Sequence, residues 1–255
     1  MNQEKTVFIC EDSAEGIFTA VYDGWLEAKK GQIQIRICEP ENMELFTRFQ
    51  YVKSDSEKAG RVMRTVLMKL GTIAYQDLWY AAAASDPDRG TAVFYTIYKS
   101  YNHGKWDPGI MEAVADAHVG MVSRLRTRVW RELHHYYGFL RFREIGGQVL
   151  FSEIEPESDI LEMLGEHFKD RFQGENWMIY DKRRKKAILH PRQSSCTVIR
   201  DVQPKMTDQS LGQPEIYEDL WRAFCGAIAI PERKNLALQQ QLLPLKYRRN
   251  MVEFT

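Results

Sequence analysis

Long apolar runs are missing from this sequence. No stretch of about 18 apolar residues occurs in its 255 positions, and the opening MNQEKTVFIC has neither a basic start nor a following apolar segment of leader length. A cytoplasmic location with no membrane partner is therefore expected. Closely spaced cysteines are missing as well. Cys10, Cys38, Cys196 and Cys225 stand singly, without the spacing of a zinc or iron–sulfur site and in a chain too large to need disulfide staples. Reduced, mostly buried thiols and no metal are the expectation. Net charge is zero, 35 basic residues balancing 35 acidic ones, so attraction to a polyanion has to come from local clustering. There is no GxGxxG or GxxxxGK[ST] glycine loop, no HExxH and no G-x-S-x-G elbow, and the six histidines are irregularly spaced. These absences remove the familiar nucleotide-loop, zinc-protease and serine-hydrolase chemistries and leave no cofactor to expect.

What is present has the composition of an ordinary globular protein, 44% hydrophobic and 27% charged, with no repeat, low-complexity tract or clear boundary. One domain over residues 1–255 is expected, of mixed α+β class. It opens with a strand at Thr6–Cys10, a helix over Ala14–Lys30 capped by Asp12 or Ser13, and an alternating strand at Gln32–Cys38. Such a strand–helix–strand unit crosses over right-handed if its strands are parallel. Helical spacing then covers Arg61–Leu70, Ile73–Ala84 and Thr91–Tyr101, broken by Gly71 and the turn Ser85–Gly90, and a long helix over Pro108–Tyr137 follows. GFLRFRE and VLFSEIE around Gly146-Gly147 read as a β-hairpin, Ser158–Phe168 as a helix, Trp177–Asp181 with Ala187–His190 as a second hairpin, and Cys196–Arg200 as a strand. Gln203–Pro214 is linker-like, and helices at Glu215–Ala229 and Asn235–Leu242 close the chain.

Three basic clusters carry the functional reading. On the long helix the apolar set Met111, Val114, His118, Met121, Val122, Leu125, Val129 and Tyr136 faces the core, with His118 a core histidine. Arg124, Arg128, Arg131 and His135 follow at steps of four, three and four, along one line a quarter turn or more away. The ordinary alternative is a solvated edge with Arg128 and Arg131 paired to carboxylates. In the first hairpin Phe139, Arg141 and Arg143 share one strand face, where guanidinium forks suit bidentate contact with phosphate; the alternative is a cross-strand ion pair from Arg141 or Arg143 to Glu153 or Glu155. KRRKK, with Lys182, Arg183 and Arg184, forms an exposed hairpin tip that suits phosphate or simply protects a sheet edge. Tyr136, Tyr137 and Trp177 are available for stacking on opened nucleic acid. Glu157, Ser158 and Asp159 read as a helix start rather than an acid–base pair.

Five phrases in order, GFLRFRE (138–144), EIEPESDIL (153–161), HFKDRF (167–172), WMIYDKRR (177–184) and RKNLALQQQLLPLKYR (233–248), together with the opening FICEDSAEGIFTAVYDGW, resemble a bacterial family assigned to DNA metabolism or DNA repair without an established activity. That resemblance implies association with DNA. It also implies a radical-SAM protein as companion, whose iron–sulfur cluster would belong to that companion. The same domain occurs in the family fused ahead of uracil-DNA-glycosylase-like domains. This chain, ending at Thr255, resembles the stand-alone form. No phrase brings a catalytic role with it.

The expected function is a DNA repair or metabolism accessory protein that holds DNA, the radical-SAM partner, or both, through a basic face. Two alternatives stand beside it. One is an enzyme of DNA or nucleotide metabolism with an unrecognised site, such as Glu155 working near Arg141 or Arg143. The other is a protein-interaction scaffold that never touches DNA.

Overall fold

The computed structural model describes residues 5–39, 46–145, 149–202 and 235–248, with 220, 223–225, 227, 251 and 254. The fold is mixed α+β, and the chain divides into two compact units, Met1–Arg131 with Glu157–Asp159, and Glu132–Pro156 with Ile160–Thr255.

In the first unit β1 (Lys5–Cys10), α1 (Ala14–Glu27) and β2 (Gln32–Arg36) form the expected strand–helix–strand unit, the strands pairing in parallel from Lys5↔Gln32 to Ile9↔Arg36. Ser13 is the cap: its hydroxyl accepts from the Gly16 amide at 3.0 Å. A third strand, β3 (Thr47–Val52), joins the other side of β1 in parallel, giving the order β2-β1-β3. TRFQYV does not alternate cleanly between buried and exposed positions, so the period-two signal that marks a half-buried strand is weak there. The next helix, α2, spans Ser56–Ala83 and is interrupted at Gly71, whose φ of 89° lies in the left-handed region that glycine adopts without strain. After the turn, α3 (Arg89–Ser100) follows. Arg89, although charged, is only 2% exposed, and its guanidinium donates to the Ala82 and Asp86 carbonyls and to the Asp12 carboxylate, tying the turn to the end of β1.

A two-stranded hairpin, β4 (Tyr101–Asn102) and β5 (Lys105–Trp106), turns on His103 and Gly104, both at positive φ. The long helix therefore starts later than expected. α4 spans Ala117–Phe139, and Asp116, not Pro108, caps it by accepting from the His118 and Val119 amides at 3.0 and 3.3 Å. Pro108 instead precedes a single tight turn at Ile110–Glu112. Met111 and Val114 thus fall outside α4, Val114 being exposed, while Val122, Leu125 and Val129 are buried as expected. His118 is half-buried and stacks on Tyr95 at 4.7 Å. Residues of α4 from Glu132 onward belong to the second unit.

The second unit is built on a five-stranded sheet in the order β10-β9-β8-β7-β6, comprising β6 (Arg143–Ile145), β7 (Val149–Ile154), β8 (Trp177–Asp181), β9 (Lys186–His190) and β10 (Thr197–Ile199). Both expected hairpins are antiparallel pairs, and β7 and β8 run parallel, joined through α5 (Leu161–Arg171). Helix α5 lies close on the sheet: a side chain at Gly165 would collide with Ile188. It starts three residues beyond Ser158 because the Asp159 amide donates to the Ala83 carbonyl at 2.8 Å, which holds Glu157–Asp159 with the first unit. Near the end of the chain, Asn235 caps α6 (Leu236–Leu242), and α7 (Leu245–Arg248) follows. The Gly146-Gly147 turn, the Gln203–Pro214 segment and most of the expected helix Glu215–Ala229 lie outside the described residues.

The four thiols are free but less buried than expected, with Cys10 buried, Cys38 exposed and the other two half-buried. Burial pushes the Cys10 thiol up to about 12, against the opposing pull of Arg89, so it stays protonated and unreactive at neutral pH. Among the described residues no helix is long and apolar enough to cross a membrane.

Candidate functional site

The basic residues have two different fates. On α4, Arg124, Arg128 and Arg131 are all exposed, and none has a carboxylate within ion-pair distance among the described residues. Their four- and three-residue steps put them on one line about 10 Å long at 1.5 Å per residue. Arg126, two residues from both Arg124 and Arg128 and so turned well away from that line, is half-buried instead and bonds Asp77 at 2.9 Å. Sequence spacing put the three on one line but left open whether they pair with carboxylates; the structure decided that. His135 is half-buried between Phe139, which it stacks on at 5.9 Å, and Tyr247 at 5.2 Å. Burial lowers its pKa and Lys246 adds to the effect, so it is neutral at pH 7 and contributes a ring rather than a charge.

In the second unit the cations meet partners. Because α4 extends through Phe139 and β6 begins only at Arg143, Arg141 is not on a strand; its guanidinium donates to the Gly138 and Leu140 carbonyls. Arg143 pairs across from Phe151 in the antiparallel register, which leaves Glu153 diagonal to it on the same sheet face. The guanidinium accordingly lies 3.9 Å from the Glu153 carboxylate and 5.6 Å from the centre of the Phe151 ring. Lys182 reaches both Glu153 and Glu155, at 3.4 and 3.5 Å. Arg184 is folded back onto the fully buried Asp181 at 3.1 Å and the Pro156 carbonyl at 3.2 Å, while Arg183 stays exposed. Asp181 also accepts from the Arg183 and Arg184 amides, so the KRRKK tip is an organised turn.

Around these carboxylates lies a cavity of about 240 Å³ in the second unit, where Arg141, Glu153, Glu155 and Lys182 face Lys246 and Tyr247. Tyr136 and Phe139 complete its wall. Lys246 lies 3.9 Å from the buried Glu132 carboxylate and 5.1 Å from the centre of the Tyr247 ring. Burial, with Tyr247 and Glu132 adding, raises the Tyr136 phenol far above its ordinary value, so it stays protonated and uncharged at any physiological pH. Such a cavity places anion-binding cations beside paired carboxylates and phenols, the groups that position an anion and move a proton next to it. Glu155 and Arg141 were legible in the sequence as candidates. Lys246 and Tyr247 were not, because they lie far along the chain in a phrase without a motif. Among the described residues no cluster of three His, Cys, Asp or Glu could hold a metal ion.

Fold and site together define a mixed α+β protein with a ridge of guanidiniums that have no carboxylate partner among the described residues in one unit, and a small charged cavity in the other. The chain belongs to the family DUF4130, a domain of unknown function, whose model matches residues 87–253. No curated protein and no solved structure is detectably similar to it.

Proposed function

We propose that the protein is an accessory factor of DNA repair or DNA metabolism that holds DNA on the α4 ridge, alongside a radical-SAM partner of the kind the family resemblance implies. The same resemblance, with its fusions to uracil-DNA-glycosylase-like domains, supports DNA over other polyanions. The observation that carries the reading is the exposure of Arg124, Arg128 and Arg131 without an acidic partner among the described residues. Over about 10 Å one B-form strand presents about three phosphates, matching three guanidiniums in number. Binding of this kind positions a backbone and reads little sequence.

The test is a titration of the full chain with single- and double-stranded DNA at two salt concentrations. Three duplex phosphate contacts at about 0.9 each give a slope of log K against log salt of about −2.7. Absence of binding at low salt removes the reading. Co-purification with a radical-SAM protein but no salt-sensitive DNA binding would favour the scaffold alternative, with the arginines meeting acidic side chains of that partner.

A second reading has its own observation. The cavity joining Glu153 and Glu155 through Lys182 suits an enzyme of DNA or nucleotide metabolism, with Glu155 as the acid–base group and Lys246 or Arg141 on an anion. Incubation with uracil-containing, alkylated and photodamaged oligonucleotides, followed by mass analysis, tests it; products that disappear in Glu155→Gln would establish it.

A further inference from the structure

The first unit contains a larger cavity than the charged one, of about 500 Å³ and mostly apolar, within the range of small-molecule pockets. It opens between α1 and α2, with Val21, Val62, Val66 and Ile97 beneath and an aromatic wall made by Trp25, Tyr101 and Trp106. The rings form one cluster. Trp25 and Trp106 are near-parallel with centroids 6.0 Å apart, Tyr101 tilts against both at 5.9 and 5.1 Å, and Tyr98 meets Trp25 edge-on at 5.4 Å. A wall of this kind is left partly open: Trp25 and Trp106 are only half-buried, and Tyr101 is 39% exposed.

Polar groups sit on the α2 side of the cavity. Arg61 lines it, held by Glu57 at 2.6 Å, and Thr65 lies one turn further along. Glu57 and the Tyr22 hydroxyl engage that guanidinium, which has five N–H donors and is exposed, so donors remain to meet a further acceptor. Lys58 stands over the Tyr22 ring at 5.8 Å and pairs with Asp23 at 2.7 Å.

We infer that this cavity takes an unpaired nucleobase, the ring joining the indole and phenol cluster and the attached phosphate meeting Arg61. Indoles and phenols give flat apolar faces with hydrogen-bonding edges, which suits a heteroaromatic ring better than an acyl chain, and the guanidinium selects a neutral or anionic ligand over a cation. The inference deepens the DNA-binding reading and rests on it: phosphates on the α4 ridge give affinity, and a base in this cavity selects single-stranded or locally opened DNA.

The experiment compares a short single-stranded DNA oligomer with one of equal length in which tetrahydrofuran replaces every base, each titrated against the full chain. Both strands carry the same phosphates. The base-bearing strand is expected to bind about ten-fold more tightly, quenching tryptophan fluorescence, and the excess is expected to vanish in Trp106→Ala and, independently, in Thr65→Trp, which fills the cavity without removing a ring. Trp106→Phe should retain most of it, and circular dichroism identifies any variant that has lost its fold. Equal affinity for the two wild-type complexes, or an excess that survives in both folded variants, overturns the cavity assignment and leaves the ridge intact. If neither strand binds, the DNA reading and this inference fall together.

Discussion

The arginines of α4 and the cations of the second unit are the same residue types under different electrostatics. Arg143, Lys182 and Arg184 each have a carboxylate within 4 Å, so a phosphate arriving there has to compete with a partner already in place. Arg124, Arg128 and Arg131 have none among the described residues, and for them a phosphate is a net gain of charge pairing. Basic clusters of equal density in sequence are thus unequal as binding surfaces. What separates them is whether folding brings an acidic side chain into reach.

The comparison breaks most readily at Asp181. This fully buried carboxylate holds Arg184, itself 11% exposed, and two backbone amides of the tip. Asp181→Ala should destabilise the protein by about 3–5 kcal/mol in urea unfolding, because it removes the buried carboxylate that a shielded guanidinium and two backbone amides bond to. A loss below about 1 kcal/mol would show that the tip is held by other means. The reverse behaviour is expected on α4. Arg128→Glu with Arg131→Glu should change stability by less than about 0.5 kcal/mol for each surface position, yet flatten the salt slope by about one unit per lost phosphate contact. Full DNA affinity in that double variant would show that the ridge is an ordinary solvated face.

A smaller effect comes from protons. Burial lowers the pKa of His118, His135 and His167, so the folded protein binds protons at these rings less readily than the unfolded chain does. Their contribution is fully present above the ordinary histidine value of about 6.5 and is lost as pH falls from there towards the lowered folded values. Asp116 acts later. Its carboxyl is lowered first by the Lys99 hydrogen bond, so its contribution is present above the ordinary aspartate value of 3.8 and is lost below it, as the folded group protonates. Melting temperature followed from pH 7 downward should therefore fall first through the histidine range and again in the carboxylate range, and Asp116→Asn should diminish only the lower fall, to which Glu27, lowered by Lys30, also contributes. Only a modest effect is expected at the exposed Lys182. Lys182→Met, which removes its pairs with Glu153 and Glu155, should cost no more than about 1 kcal/mol. A larger loss would mean that the charged cavity is as tightly built as the Asp181 turn.

Much of the fold was legible because its signals are local. A cap at Asp12 or Ser13, Gly71 as a break, the second hairpin from Trp177 to His190 and the strand–helix–strand opening all follow from neighbours within a few residues. β3 was not read from the sequence, where only the four residues 48–51 alternate polar and apolar, too short a run to stand out. The start of α4 was misplaced because Pro108 is a familiar helix-start signal, whereas Asp116 gains its meaning only from the amides it caps. Of the candidate site, the exposed ridge followed from helical spacing. The aromatic cavity did not: Trp25 and Trp106 are far apart in sequence, and the turn at His103 and Gly104 that returns Trp106 to Trp25 carries only a weak hairpin signal.

By itself the sequence determined most of the helices and strands and which line of α4 bears Arg124, Arg128 and Arg131, because those properties repeat with the period of one backbone element. Tertiary structure alone decided which cations keep their charge available. Pairing depends on a distance of a few ångströms between residues such as Arg143 and Glu153, set by a strand register, and on burial such as that which neutralises His135. Neither distance nor burial is a property of any single segment.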